Sequence, residues 1–156
     1  MLEAPRSPGE KQPIIVADAD EENARHLERQ LRRAGVKNPV VRFSSGDDLG
    51  VFFVETALND DPKPCVLFLD PRMPGANGYD PIRWAKRETC LNGMKMAILS
   101  FTETPEEIAS ASELGVQLFL KKHPDLTSLA PILEHLQEVR PAEVVSKTEL
   151  PVVPAK

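Results

Sequence analysis

Residues 65–69 constrain the fold of this chain more than any other part of its sequence. They read Cys-Val-Leu-Phe-Leu, an apolar run with prolines before it and glycines after it. A run of this length predicts a strand buried on both faces, which is typical of a parallel sheet covered by helices. The run ends at Asp70, so the sequence predicts a carboxylate at the C-terminal end of a strand, where open α/β sheets place their binding sites.

The rest of the chain alternates short apolar runs with helical patterns of apolar residues. Five strands that alternate with five helices indicate right-handed crossovers and a parallel sheet. The predicted strands are 14–17, 40–43, 65–69, 96–99 and 116–120, and the predicted helices are about 21–34, 45–58, 80–88, 104–115 and 126–139.

Length and composition predict one cytoplasmic domain, because 156 residues suit a single core. We expect a disordered arm at 1–12, a domain at 13–140 and a flexible tail at 141–156. The net charge of −5 without a basic block gives no nucleic-acid footprint, and two cysteines form neither a zinc set nor a secreted disulfide framework. No stretch has the length of a membrane span, and the N-terminus lacks a signal-peptide core. We therefore expect contact with neither nucleic acid nor membrane.

Polar side chains follow most of the predicted strands, which end at Asp18, Phe43, Asp70, Ser100 and Lys122. Because parallel strands end at the same rim, we expect two acids, a hydroxyl and an ammonium to converge. A carboxylate can attack phosphorus to give an acyl phosphate, and a divalent cation held by acids can neutralise phosphoryl oxygens. An ammonium and a hydroxyl can bind the same oxygens. The pattern therefore favours phosphoryl transfer to Asp70.

These residues resemble the phosphoacceptor segment of response-regulator receiver domains of two-component signalling, which include the stand-alone chemotaxis regulator. The resemblance rests on Leu-Phe-Leu-Asp at 67–70, Met-Pro-Gly at 73–75 and Asn-Gly at 77–78, and it extends over about 13–139. It implies a flavodoxin-like, doubly wound sheet of five parallel strands in the order 2-1-3-4-5, with five helices.

The resemblance also implies what the site binds. Asp70 would be phosphorylated by a histidine kinase or a phosphotransfer protein. Asp18, Asp70 and the backbone carbonyl of Arg72 would hold Mg²⁺, with Asp20 as a further candidate ligand.

Three further residues would respond to the modification of the aspartate. Ser100 and Lys122 would bind the phosphoryl group, and Phe119 would turn inward on activation. Such a chain is a switch and not an enzyme, beyond metal-assisted self-phosphorylation and autodephosphorylation. It would act on partners, or form a homodimer, through its fourth helix, fifth strand and fifth helix.

The first departure from the family pattern concerns the metal ligands, because the family has two adjacent acids after its first strand. Here the sequence is Asp18-Ala19-Asp20. Either Ala19 replaces the acid that ligates the metal directly, or a shift by one residue makes Ala17 the missing partner. Both alignments lose one carboxylate, and Mg²⁺ requires hard oxygen ligands.

The second departure follows the site lysine, where the family has a cis proline. Here His123 separates Lys122 from Pro124. A cis peptide bond before a residue other than proline costs about 2.5–4 kcal/mol, so we expect a trans bond before His123.

Two other functions remain open from the sequence. Ala19 and the inserted His123 favour a degenerate receiver that acts as a phosphorylation-independent adaptor. A remote alternative is a haloacid-dehalogenase-type phosphatase, because an apolar strand followed by Asp-x-Asp at 18–20 resembles the nucleophile motif of that family. Against it, Glu21 stands where that family has threonine or valine, and the Asp70 segment would have no role.

Overall fold

A computed structural model describes residues 12–75, 78–102, 104–116 and 118–138 of the chain. The predicted arm, except for Gln12, and the predicted tail lie outside the described residues. Gln12 is tied to the domain, because its side-chain amide donates to the Lys63 carbonyl at 3.1 Å and its own carbonyl accepts from the Asn38 amide at 2.9 Å. Within the described part of the chain, no helix combines the length and the apolar character needed to cross a bilayer.

Five parallel strands form one sheet in the order β2-β1-β3-β4-β5. This order and the five α-helices confirm the predicted doubly wound, flavodoxin-like architecture. The strands are β1 (Ile14–Ala17), β2 (Val40–Phe43), β3 (Val66–Leu69), β4 (Lys95–Ser100) and β5 (Leu118–Lys121). The helices are α1 (Glu21–Arg33), α2 (Gly46–Leu58), α3 (Asp80–Lys86), α4 (Pro105–Glu113) and α5 (Ala130–Glu138), with a 3-10 turn at Thr89–Leu91.

The central strands β1 and β3 are buried on both faces, as their uninterrupted apolar sequences predict. Alternate residues point to opposite faces of a strand. One set, which includes Val16 and Phe68, packs against α1 and α5, whereas the other, which includes Leu67 and Leu69, packs against α2, α3 and α4. Each fully buried leucine or phenylalanine contributes about 1.5–3 kcal/mol, so these strands hold the two helix layers to the sheet.

Three helices differ from their predicted bounds by two or more residues; one of them, α4, ends at Glu113 and not near residue 115. Helix α3 ends at Lys86 and not at residue 88, and the 3-10 turn Thr89–Leu91 follows after two residues. Helix α5 begins at Ala130 and not at residue 126. The carboxylate of Asp125 accepts the backbone N–H of Ser128 at 2.8 Å, which holds the preceding residues in turns. The predicted capping box of α4 is present between Thr104 and Glu107.

Candidate functional site

A cleft at the C-terminal rim of the sheet brings together four of the residues predicted from the strand ends. Asp18, Asp70, Ser100 and Lys122 all line this cleft, whose volume is about 250 Å³. Each lies at the end of β1, β3, β4 or β5, so the strand order alone explains why they are neighbours. The other residues that line it are Ala19, Asp20, Asn23, Arg72, Phe101 and Thr102.

The Lys122 ammonium joins the two strand-end carboxylates. Its Nζ donates to Asp18 Oδ2 at 2.6 Å and to Asp70 Oδ2 at 3.0 Å. The side chains of Lys122 and Asp18 are 3% and 1% exposed, whereas that of Asp70 is 15% exposed. One buried cation therefore neutralises only one of two carboxylates, and Asp70 is the carboxylate that solvent and a phosphodonor can reach.

The loop that follows β3 fixes the position of Asp70. Its Oδ1 accepts the backbone N–H of Arg72 at 2.8 Å, and its own N–H donates to the Ala17 carbonyl of β1 at 2.9 Å. Further along the loop Gly75 has φ +90°, and a Cβ there would lie 3.1 Å from the backbone nitrogens of Gly46 and Asp47. Glycine is therefore required where this loop passes over the start of α2.

Of the two alanines beside Asp18, only Ala19 lines the cleft. Ala17 is fully buried in the core, whereas Ala19 is exposed and lines the cleft. Asp20 is not a free substitute, because its Oδ1 accepts the Glu22 N–H at 2.8 Å and caps α1. Its backbone N–H in turn donates to Asp18 Oδ1 at 2.9 Å.

The oxygen donors of the cleft fit a loosely held divalent cation. They are the carboxylates of Asp18 and Asp70, and Arg72 lines the same cleft. The described residues contain no group of three or more acidic, histidine or cysteine side chains placed to hold a metal ion. Mg²⁺ in proteins is often bound by one or two carboxylates, with water and phosphate oxygens completing the set. The ion would share both carboxylates with Lys122, which makes strong binding unfavourable.

Ser100 is a buried hydroxyl whose hydrogen-bonding capacity is fully used. Its Oγ donates to the Thr102 carbonyl at 2.6 Å and accepts the Thr102 N–H at 3.2 Å. It also accepts from Nη1 of Arg72 at 2.9 Å. A serine hydroxyl has one donor and two lone pairs, so Ser100 must give up a bond before it can bind anything else.

The sequence analysis missed four side chains that line the cleft, those of Asn23, Arg72, Phe101 and Thr102. Arg72 was predicted to contribute only its carbonyl, but its guanidinium reaches Ser100 and also pairs with the carboxylate of Glu107. Phe101 is 65% exposed, and its ring centroid lies 5.3 Å from Lys122 Nζ, which is a cation–π distance. The only sequence signal for Phe101 was its place directly after a strand-end residue.

Phe119 is the remaining predicted position on β5, and Lys121 lies on the same strand. Lys121 is exposed and points away from the cleft that Lys122 enters. Phe119 is half-buried and packs against the core cluster on the side of α3 and α4.

The inserted His123 is accommodated by an unusual backbone conformation. No peptide bond among the described residues is cis, which confirms the trans bond expected before His123. His123 has φ +59°, in the left-handed region, and its Nε2 lies 2.7 Å from the Asn23 Oδ1 of α1. The histidine thus turns towards α1, and Lys122 keeps its place in the cleft despite the insertion.

Comparison with known proteins relates this chain to receivers through structure alone. No protein-family model matches the sequence, and no curated protein matches it. A two-component response regulator from Cytophaga hutchinsonii matches with a TM-score of 0.72 at 18% identity, over 83% of this chain and 98% of that chain. The signal receiver domain of a DNA-binding response regulator from Colwellia psychrerythraea 34H gives 0.68 at 20% identity, over 82% and 99%.

A third solved structure of this kind is described with a metal ion. The Mn²⁺-bound form of the response regulator Rcp1 matches with a TM-score of 0.59 at 15% identity, over 90% of this chain and 99% of that chain. All three are response regulators or their receiver domains. The chain therefore has the fold of response-regulator receiver domains.

Proposed function

We propose that this chain is a response-regulator receiver in which Asp70 accepts a phosphoryl group from a histidine kinase or a phosphotransfer protein. One observation carries the proposal. Asp70 is the accessible member of a carboxylate pair, and a buried lysine holds it at the rim of the sheet. A carboxylate that is accessible and also lies beside a fixed ammonium is suited to become an acyl phosphate.

The chemical step is a nucleophilic displacement at phosphorus. A carboxylate oxygen of Asp70 attacks the phosphorus of the donor, and the bond from phosphorus to the donor's imidazole nitrogen breaks. The electron pair stays on the leaving nitrogen, and Asp70 becomes an aspartyl phosphate. Lys122 has three N–H donors, so it can keep Asp18 while it binds a phosphoryl oxygen. Ser100 would bind a second oxygen after it releases the Thr102 carbonyl, to which it now donates.

A divalent cation belongs to this proposal as a weakly held component. Asp18, Asp70 and the Arg72 carbonyl would hold it, and when bound it neutralises the phosphoryl oxygens. A response regulator of similar fold is described in an Mn²⁺-bound form, which supports the binding of a divalent ion. The side chain of Ala19 supplies no oxygen, and the carboxylate of Asp20 would have to leave the cap of α1 to supply one. We therefore expect a weaker metal dependence than two adjacent acids would give.

The proposed output is a protein-binding surface and not a catalysed reaction. Phosphorylation adds about 1.5 to 2 negative charges at pH 7, which bias the loops that follow β3 and β4. The surface formed by α4, β5 and α5 would bind a partner or a second copy of the chain. Phe119 packs between this surface and the core, which supports a role as the residue that turns inward.

The second candidate function is a phosphorylation-independent adaptor, and Ala19 favours it because one metal ligand is missing. The phosphatase alternative has less support. Asp18, its nucleophile, is buried and bonded to Lys122, while Asp20 caps a helix.

Intact-mass spectrometry after incubation with acetyl phosphate and Mg²⁺ distinguishes the switch from the adaptor. We expect a species heavier by about 80 Da, one phosphoryl group, in the wild-type protein. Asp70→Asn is the matched control and should stay unmodified, whereas Asp80→Asn, in α3, should react as the wild type does. An unmodified wild-type protein at millimolar Mg²⁺ would favour the adaptor. A modified D70N protein would place the phosphoryl group elsewhere.

A further inference from the structure

The guanidinium of Arg72 connects the cleft to the first turn of α4. It donates through Nη1 to Ser100 Oγ at 2.9 Å and pairs through Nη2 with the Glu107 carboxylate. The other oxygen of that carboxylate accepts the Thr104 N–H at 3.0 Å, and Thr104 Oγ1 accepts the Glu107 N–H at 3.1 Å. The capping box of α4 and the hydroxyl of the cleft are therefore held by one side chain.

We propose that Arg72 transmits the phosphorylation of Asp70 to α4 by exchanging Glu107 for the phosphoryl group. The proposal rests on the function proposed above. In the unmodified protein, Arg72 holds Glu107 and stabilises the capped first turn of α4. In the modified protein, Arg72 binds the phosphoryl oxygens and releases Glu107. Arg72 is thus a positioning residue, because it acts on α4 through another side chain.

The exchange is favourable because the two partners of Arg72 differ in charge. A phosphoryl group carries about 1.5 to 2 negative charges at pH 7, against one for a carboxylate, and guanidinium groups bind phosphate in a bidentate manner. Arg72 follows Asp70 by two residues, and both line the cleft. The side chain of Arg72 is 53% exposed, so its pair with Glu107 is screened by solvent and weak enough to be broken.

The hydrogen bonds of Ser100 couple the exchange at Arg72 to the binding of the phosphoryl group by Ser100. All donor and acceptor positions of this hydroxyl are used in the unmodified protein, two of them by Thr102 and one by Arg72. If Ser100 turns to donate to a phosphoryl oxygen, it must leave the Thr102 carbonyl, and its lone pairs turn away from Arg72. Recruitment of Ser100 therefore loosens Arg72 at the moment when the new negative charge attracts it.

Hydrogen exchange of the backbone N–H groups of Glu107 and Ile108 measures the first turn of α4 directly. These groups donate to Thr104 Oγ1 and to the Thr104 carbonyl. We expect acetyl phosphate to raise their exchange about threefold in the wild type, the effect of breaking one half-exposed ion pair. In Arg72→Gln and Glu107→Gln we expect exchange to be raised to the same degree before modification, with no further increase after it.

Matched variants separate this role from general destabilisation. Glutamine at 107 retains the capping oxygen, so Glu107→Gln removes the charge and not the cap. Glu106→Gln changes an exposed charge in the same turn and should behave as the wild type does. Arg72→Lys retains one charge, and we expect it to restore part of the response to acetyl phosphate. An equal response in wild type and R72Q, or equal exchange in their unmodified forms, would overturn the proposal.

Intact mass measured on the same samples tests the role of Arg72 and the role of Asp70 separately. An increase of about 80 Da with unchanged exchange in α4 overturns the role of Arg72 and leaves Asp70 as phosphoacceptor. The absence of that increase in the wild type overturns both the proposed function and this inference.

Discussion

Polar groups are buried at both ends of the strands but have different kinds of partner. We call the end around Asn38, Cys65 and His135 the N-terminal edge, and the end that carries the cleft the C-terminal rim. At the N-terminal edge, the Asn38 amide donates to the Gln12 carbonyl, and His135 Nε2 lies 3.0 Å from the Cys65 carbonyl. Both partners are backbone carbonyls, and neither contact involves a carboxylate. At the C-terminal rim, two carboxylates share the Lys122 ammonium. The hydrogen bonds at the N-terminal edge tie neighbouring segments together. The rim has two carboxylates for one ammonium and therefore retains one negative charge.

The difference indicates which end of the sheet would respond to an added charge. Hydrogen bonds to backbone carbonyls each contribute about 1 kcal/mol. A buried cation with two carboxylates responds to any charge added beside it, because electrostatic interactions are stronger away from water. Adding a phosphoryl group would therefore change more contacts at the C-terminal rim than at the N-terminal edge.

The largest expected effect follows from Lys122→Met, which removes the shared cation and leaves Asp18 buried without its partner. Breaking a buried ion pair in this way costs about 3–5 kcal/mol, and we expect urea unfolding to show a loss of that size. Lys121→Met, at the exposed neighbouring position, should change stability by less than about 0.5 kcal/mol. Equal stabilities of the two variants would mean that Lys122 contributes no more to stability than the exposed Lys121. Asp18→Asn combined with K122M should recover part of the loss.

Two glycines with the same backbone conformation, one near each edge, give the next effect. Gly75 has φ +90° and no room for a Cβ, whereas Gly35, three residues before Asn38, has φ +88° and open space around it. We expect Gly35→Ala to cost about 1 kcal/mol from the backbone alone, and Gly75→Ala about 2 kcal/mol because Gly46 must also shift. Urea unfolding measures both costs. Phosphorylation by acetyl phosphate should slow only in G75A, and equal slowing in G35A would remove the distinction between the edges.

A smaller effect is expected from Asn38→Ala at the N-terminal edge. The buried amide donates to the Gln12 carbonyl at 2.9 Å and contacts Cys65 Sγ at 3.6 Å. Leaving such a carbonyl unsatisfied costs about 1–2 kcal/mol, and Lys37→Ala, on the exposed neighbour, serves as the control. The rate of phosphorylation of N38A, measured by intact mass, should equal that of the wild type. A slower rate would show that this edge takes part in the function.

The sequence predicted the sheet and the convergence at the rim because both depend on local pattern and on one general rule. Apolar runs defined β1 and β3, and parallel strands place their last residues side by side, which located Asp18, Asp70, Ser100 and Lys122. The contact of the Arg72 guanidinium with Glu107 could not be predicted. The two residues are 35 positions apart and belong to no periodic pattern. Their contact depends on how the loop after β3 meets α4, which only the packed structure determines.

The smallest expected effect is a difference in reactivity between two thiols. Cys65 is buried at the N-terminal edge, and Cys90 is exposed. Burial raises the pKa of Cys65 to about 11, although hydrogen bonds act in the opposite direction. At pH 8 we expect iodoacetamide to add one label quickly, at Cys90, with mass spectrometry as the readout. Cys90→Ser should then take no rapid label, and rapid labelling of that variant would show that the edge opens readily.

The same raised pKa of Cys65 predicts a pH dependence of stability. A thiol that ionises less readily in the folded state stabilises the fold fully below the unfolded pKa of 9.0, and the contribution is lost as pH rises through about 11. Stability should therefore fall more steeply between pH 9 and 11 in the wild type than in Cys65→Val, which retains the packing but has no proton to lose. Parallel urea-unfolding curves for the two proteins across this range would mean that Cys65 is hydrated when the protein is folded. The N-terminal edge would then be open to solvent, and the contrast between a closed edge and a responsive rim would no longer hold.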